Sequence, residues 1–312
     1  MAEPFLHAGN VALILLCQEF HIRVIVLGVT DRMAHGQRPS DALRPATICA
    51  MLLVNGRPLS GQCVVYSRSD IQMTKLSVNL NKVALLRNQR TIGIPSVIEA
   101  ARTCISAGVH GITVHPRPDQ RHIRPSDVYE LAEMLTVEFN IEGNPFGSQF
   151  MEIVRKVKPT QCTLVPDEPG AFTSDHGWDI SKDGDRLVPI VRELKGLGSR
   201  VSLFMDPDVD QIQRAGEVGT DRVELYTESY ATAFREGDVE PVFQQYARAA
   251  QKAQEIGLGV NAGHDLNLRN LAKFCSIPGV LEVSIGHALI ADALELGLFN
   301  TVTEYLKILS QT

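Results

Sequence analysis

The first 72 residues of this 312-residue chain contain no lysine, whereas nine lysines follow. That segment balances six arginines against five acids, so residues 73–312, with 24 bases against 31 acids, carry −7 against a whole-chain net charge of −6. A negative balance of this kind gives no basic footprint for nucleic acid or an anionic membrane. The six cysteines (Cys17, Cys49, Cys63, Cys104, Cys162 and Cys275) include no CxxC pair. Their scatter argues against a disulfide framework or a zinc ribbon and suits a reducing compartment. Long apolar runs are missing too. Residues 11–16 and 22–29 are apolar, but Glu19, His21 and Arg23 interrupt them, well short of the ~20 apolar residues a membrane helix needs. No basic stretch precedes them as in a secretory signal. Residues 31–47 and 55–72 are polar, Arg-rich and broken by Gly and Pro, which reads as an unstructured linker.

Met73-Thr74-Lys75-Leu76-Ser77-Val78-Asn79 makes a fresh start. The expectation is a functional domain over 73–312, preceded by a poorly ordered or dispensable extension over 1–72. A small extra domain is the alternative for that extension. From Met73, strand-like runs recur at 75–80, 111–115, 139–142, 162–165, 201–205, 222–226, 259–262 and 281–285. Helical patterns lie between most of them. Residues 127–135 carry Val128, Leu131, Ala132 and Leu135 on one face. Asp206-Pro207 reads as a helix start, and Asp238 precedes a long amphipathic run that ends at Gly257. Eight strand–helix units over about 240 residues predict a (β/α)8 TIM barrel. An open doubly wound sheet would want a Gly-rich turn after its first strand, and Asn81-Lys82-Val83 supplies none.

A closed barrel of this type places active residues at the C-terminal ends of its strands. Polar residues stand there repeatedly: Asn79 and Asn81, His115 and Arg117, Glu142, Glu224 and Thr227, Asn261 and His264, Gly286 and His287. The densest stretch is GITVHPRPDQRHI at 111–123. A β-branched run breaks there at Pro116 and Pro118 into a loop with His115, Arg117, Arg121 and His122. Two imidazoles and two guanidiniums at a strand end make a poor core and a good anion site; a solvated basic loop is the bland alternative. Ile285-Gly286-His287 passes from strand into helix, where backbone N–H groups suit a phosphate dianion. Arg87 and Arg90 add cations on the first loop. Residues 166–182 have the length of a lid, with Thr173 and Ser174 available to a phosphate on closure.

From Met73 onward the chain resembles the pyridoxine 5′-phosphate synthase family. The matching stretches are Val78-Asn79 with Leu86-Arg87-Asn88-Gln89-Arg90, then GITVHPRPDQRHI, FNIEG, LVPDEP, VSLF, VNAGH and IGHALI, in order across the barrel. The resemblance implies condensation of 3-amino-2-oxopropyl phosphate with 1-deoxy-D-xylulose 5-phosphate to pyridoxine 5′-phosphate, phosphate and water, in de novo vitamin B6 synthesis. It implies no metal or organic cofactor, a cytoplasmic homo-oligomer, typically an octamer, and phosphorylated small molecules as the only partners. By the same resemblance Glu142 and His115 accept protons, His264 donates one, and Glu224 stabilises the charged transition state. Asn79, Arg90, Asp265, Gly286 and His287 fall where the family holds the amino-ketone phosphate. Arg117, His122 and Thr173 fall where it holds the pentulose phosphate.

Two departures from the family pattern stand out. Asn81-Lys82 stand where well-known members have Asp-His, and Asp265 stands where many have Gly. An amide and a cation can still hold a hydroxyl and a phosphate, and a lysine adds the option of an imine. A carboxylate beside a phosphate is repulsive unless it points away and offers only its N–H. Two other functions compete. A metal-dependent barrel hydrolase would use His115, His122, Glu142, His264 and His287 as ligands, but such barrels open with His-x-His where this chain has Asn79-Leu80-Asn81. A non-catalytic phosphosugar-binding barrel would not need Glu142 and His264 together.

Overall fold

A computed structural model describes residues 73–312 except 168, 169, 171 and 172, together with the backbone of five short strands upstream. Two compact units divide the chain, Met1–Gln72 and Met73–Thr312. In the first, β1 (Ile14–Cys17), β2 (Ile22–Gly28), β3 (Ile48–Val54), β4 (Arg57–Pro58) and β5 (Val64–Tyr66) form an antiparallel sheet. β4 and β5 fall inside the stretch 55–72 read as an unstructured linker, so that reading fails at those two strands. The linker reading of 31–47 lies outside the described residues.

In the second unit eight parallel strands close into a barrel: β6 (Lys75–Asn79), β7 (Gly111–Val114), β8 (Glu138–Gly143), β9 (Gln161–Leu164), β10 (Arg200–Met205), β11 (Arg222–Tyr226), β12 (Gly259–Gly263) and β13 (Val280–Ile285), which pairs back with β6. This is the expected TIM barrel, with strand ends shifted by a residue or so. The helices are α1 (Asn81–Asn88), α2 (Val97–Ser106), α3 (Pro125–Met134), α4 (Ser148–Val157), α5 (Ile180–Gly196), α6 (Val209–Val218), α7 (Glu228–Glu236), α8 (Val239–Glu255), α9 (Leu271–Phe274), α10 (His287–Leu296) and α11 (Leu298–Leu309). Three gaps between strands therefore hold more than one helix or an abbreviated one.

Local chemistry accounts for the helix starts. Pro125 sits in the first turn of α3, and Asp127 turns back to accept the Arg124 N–H at 2.8 Å. Asp208 caps α6 by accepting the N–H groups of Asp210 and Gln211 at 2.8 and 3.0 Å. The start signal expected at Asp206-Pro207 is thus displaced by two residues. Asp206 instead accepts the Gly177 N–H at 3.1 Å and ties down the loop after β9.

Alternate residues of the strands divide sharply between two environments. Leu76, Val78, Ile112, Val114, Ile141, Leu164, Val201, Leu203, Val223, Leu225, Val260, Val283 and Ile285 are fully buried. They form the apolar layer beneath the helices, each large side chain contributing on the order of 1.5–3 kcal/mol. The residues between them face the lumen, and bonds between non-adjacent strands establish this. Lys75 pairs with Glu138 at 2.5 Å, Gln161 donates to Glu282 at 3.3 Å, Arg222 lies 3.5 Å from Glu282, and Thr163 donates to Glu224 at 3.3 Å. Arg200 also donates to Glu138. Barrels of this class usually fill the lumen with branched aliphatic residues. Here it is largely polar, and the cost of burying those groups is offset by pairing them with one another.

Candidate active site

The C-terminal ends of the strands open into a cavity of about 380 Å³. Asn79, His115, Arg117, His122, Glu142, Thr173, Glu224, His264, Asp265, Gly286 and His287 line it, with Asn81 and Lys82 at its edge. Eleven of the twelve expected site residues thus converge. Arg90 does not: it is exposed beyond the end of α1 and outside this cavity. Arg87 is also absent from the lining. It is buried, donates to Asp127 at 2.9 Å and to the His122 carbonyl at 3.1 Å, and so fastens α1 to the loop that carries His122.

Asn79 ends β6 and organises the floor. Its Nδ2 donates to Glu142 Oε2 at 3.2 Å, and its Oδ1 accepts the Asn81 N–H at 3.0 Å. Asn81 Oδ1 in turn accepts the backbone N–H of His115 at 2.9 Å. An amide at position 81 therefore holds the first and second loops together. The Glu142 side chain keeps 12% exposure toward the cavity, and His115 Nδ1 is 3.9 Å from its Oε2. Burial, opposed by His264 and assisted by the charge of Asp167, pushes the Glu142 carboxyl up to about 7. Glu224, below it, is buried and held well above the ordinary carboxylate range by desolvation and then by the charges of Glu142 and Glu282. Glu224 is thereby biased toward its protonated form, and near neutral pH Glu142 is poised between its two forms.

The imidazoles of His115 and His122 are pushed the other way. Burial, then Arg117, His122 and Arg121, hold His115 well below its usual range. His122 falls to about 4 through burial and the cations of Arg117, Arg121 and Lys82. Its Nδ1 accepts the Ile123 N–H at 2.9 Å, which leaves Nε2 to carry the hydrogen. Arg117 is buried and donates to Asp167 on the loop after β9. Asp167 also accepts the Ser174 hydroxyl at 2.7 Å, and Thr173 Oγ1 stands 3.1 Å from His264 Nε2. This loop therefore lies over the cavity and touches both halves of it.

Gly286 precedes α10, and a Cβ there would lie 3.2 Å from Asn79 Cβ. The bare backbone leaves the helix start open to a bound anion. Gly263 has a similar reason: a Cβ there would collide with Glu224 Oε1. Sequence reasoning assigned no role to Asp167, Phe204 or Ser284. Of these only Asp167 had a legible signal, because a buried arginine on the second loop requires a carboxylate. Among the described residues no group of three or more His, Cys, Asp or Glu side chains is arranged to hold a metal ion. The five ligands of the hydrolase alternative thus do not form a binding set.

The family model for pyridoxal phosphate biosynthesis protein PdxJ matches residues 76–311. The pyridoxine 5′-phosphate synthase of Xanthomonas campestris pv. campestris (strain B100) is 53% identical over 247 residues, 76% of this chain and 96% of that protein. The corresponding protein of Christiangramia forsetii is 54% identical over 238 residues, covering 76% of this chain and all of the relative. Among solved structures, a thiamine phosphate pyrophosphorylase from Pyrococcus furiosus superposes with a TM-score of 0.50 at 11% identity, covering 77% of this chain and 97% of the other, and speaks to the fold alone. A match over the whole barrel, together with identity above one half, establishes that the chain belongs to the PdxJ family of pyridoxal phosphate biosynthesis proteins.

Proposed function

We propose that this chain condenses 3-amino-2-oxopropyl phosphate with 1-deoxy-D-xylulose 5-phosphate to form pyridoxine 5′-phosphate by acid/base catalysis from its own side chains. One observation carries the reading. A carboxyl raised to about 7 and an imidazole held neutral face the same cavity, whose rim also carries Arg117, Lys82 and the start of α10. Ring closure needs protons removed from carbon near neutral pH, and both groups suit that task. Glu142 and His115 take protons, while His264 returns one to a departing oxygen. Glu224, biased toward its protonated form, offers a hydrogen bond to developing negative charge.

The amino-ketone phosphate is assigned to Gly286 and His287, with Asn79 and the backbone at Asp265 holding the rest of that substrate. Arg117, His122 and Thr173 take the pentulose phosphate, and Lys82 adds a cation beside them. Arg90, expected beside the same phosphate, lies outside the cavity. Homo-oligomerisation, an octamer by family resemblance, suits the exposed Leu86, Ile92, Ile94, Leu294 and Phe299. A cytoplasmic setting suits a chain in which no described helix is long and apolar enough to cross a membrane. Residues 73–312 are proposed to suffice, because the relatives are matched almost end to end without residues 1–72.

Reconstitution tests this reading. Purified protein, full-length and truncated to 73–312, is mixed with the two phosphates, and the pyridoxine chromophore and released phosphate are followed. Both forms are expected to make product at similar rates. No product from either removes the assignment, and product from the full-length form alone removes the proposal that 1–72 is dispensable.

A further inference from the structure

Asp265 is the residue whose presence beside a phosphate site most needs a reason. Its carboxylate is turned aside. Oδ2 lies 2.8 Å from His264 Nδ1, and Arg235 and His287 are close enough to join His264 in holding its carboxyl below the ordinary range. A carboxylate only accepts, so Nδ1 carries the hydrogen. His264 Nε2 then faces Thr173 Oγ1 of the overlying loop at 3.1 Å. The ring rests edge-on against Tyr226, with centroids 5.0 Å apart.

The backbone is held in the shape this requires. His264 has φ +85, an unusual value for a residue with a side chain. Two bonds hold the turn: Leu266 N–H to the His264 carbonyl at 2.5 Å, and Asn270 Nδ2 to the Asp265 carbonyl at 3.2 Å. The strained residue thus presents its imidazole between a fixed carboxylate and the cavity.

We propose that Asp265 is a positioning residue for His264. It holds the ring with Nδ1–H against its own carboxylate and aims Nε2, the atom through which the proton passes, at the substrate. The loop hydroxyl of Thr173 holds Nε2 until substrate displaces it. This rests on the reading of His264 as the proton donor. The charged or titratable groups around His264 are Asp265 itself, Glu142 of β8 and Tyr226 of β11, with Arg235 of α7 and His287 of α10 beyond Asp265.

Asp265→Asn keeps the shape and removes the charge. It is expected to lower kcat about 10- to 100-fold, less than for a fully buried triad carboxylate because Asp265 is one-third exposed, with KM for both phosphates within about threefold. Asp265→Glu should restore part of the lost turnover. The His264 Nδ1–H proton resonance, expected far downfield in the full-length protein without substrate, should move upfield in Asp265→Asn, because an amide oxygen accepts more weakly than a carboxylate. An unshifted His264 Nδ1–H resonance in Asp265→Asn, or a raised KM for the amino-ketone phosphate at unchanged kcat, overturns the positioning role. His264→Gln separates the two levels. If it abolishes turnover while Asp265→Asn is normal, only Asp265 is misassigned; if it turns over normally, the reading of His264 as donor fails first.

Discussion

Replacing Glu142 with glutamine should make the protein more stable while crippling it. The carboxyl is pushed from its ordinary 4.5 to about 7, chiefly by burial, so its ionised form costs the folded state roughly 3 kcal/mol. The sign follows from proton counting. Between pH 4.5 and 7 the folded state binds more protons at this group than the unfolded chain does. Stability therefore falls as pH rises through that window. The penalty is absent below about 4.5 and complete above about 7. Glutamine carries no charge, and its amide oxygen still accepts from Asn79 Nδ2 in place of the carboxylate. Urea unfolding should thus show Glu142→Gln more stable than the native protein by about 3 kcal/mol at pH 8 and by about 1 kcal/mol or less at pH 5. A variant no more stable at pH 8, or a difference that does not change with pH, would refute the claim that burial strains this carboxylate.

Two further expectations concern the phosphate side of the cavity. His122, held at about 4, should show no imidazole titration by NMR between pH 5 and 8 in the free protein. Added inorganic phosphate should bring its titration up toward neutrality by offsetting Arg117, Arg121 and Lys82; titration near 6.5 without ligand contradicts the burial described. Asp167→Ala removes the carboxylate that Arg117 meets in the interior and should cost about 3–5 kcal/mol in urea unfolding. A loss under about 1 kcal/mol would mean the pair is solvated.

Much of this was legible in the chain because the barrel repeats one simple rule. Six of the eight strands end in polar residues that have no place in a core, so Asn79, His115, Glu142, Glu224 and His264 are assignable to one rim from sequence alone. Arg87 and Arg90 were not separable in that way. Both follow the first strand, yet α1 turns Arg87 inward to Asp127 and ends before Arg90, which is left exposed. The direction of Asp265 depended on φ +85 at His264, which no neighbouring residue type announces. The polar lumen was hidden for another reason. Gln161, Arg200, Arg222 and Glu282 satisfy one another across the barrel, and partners 121 residues apart, such as Gln161 and Glu282, leave no local pattern.

The central claim is that Glu142 is the base of this site. The measurement that meets it most directly is the pH dependence of kcat/KM with both phosphates, for the native protein and for Glu142→Gln. The native profile should fall about tenfold per pH unit below about 7, and the variant should lose roughly two to four powers of ten in turnover while still binding both substrates. Near-native turnover in Glu142→Gln, or an acid limb near pH 4.5, would contradict it.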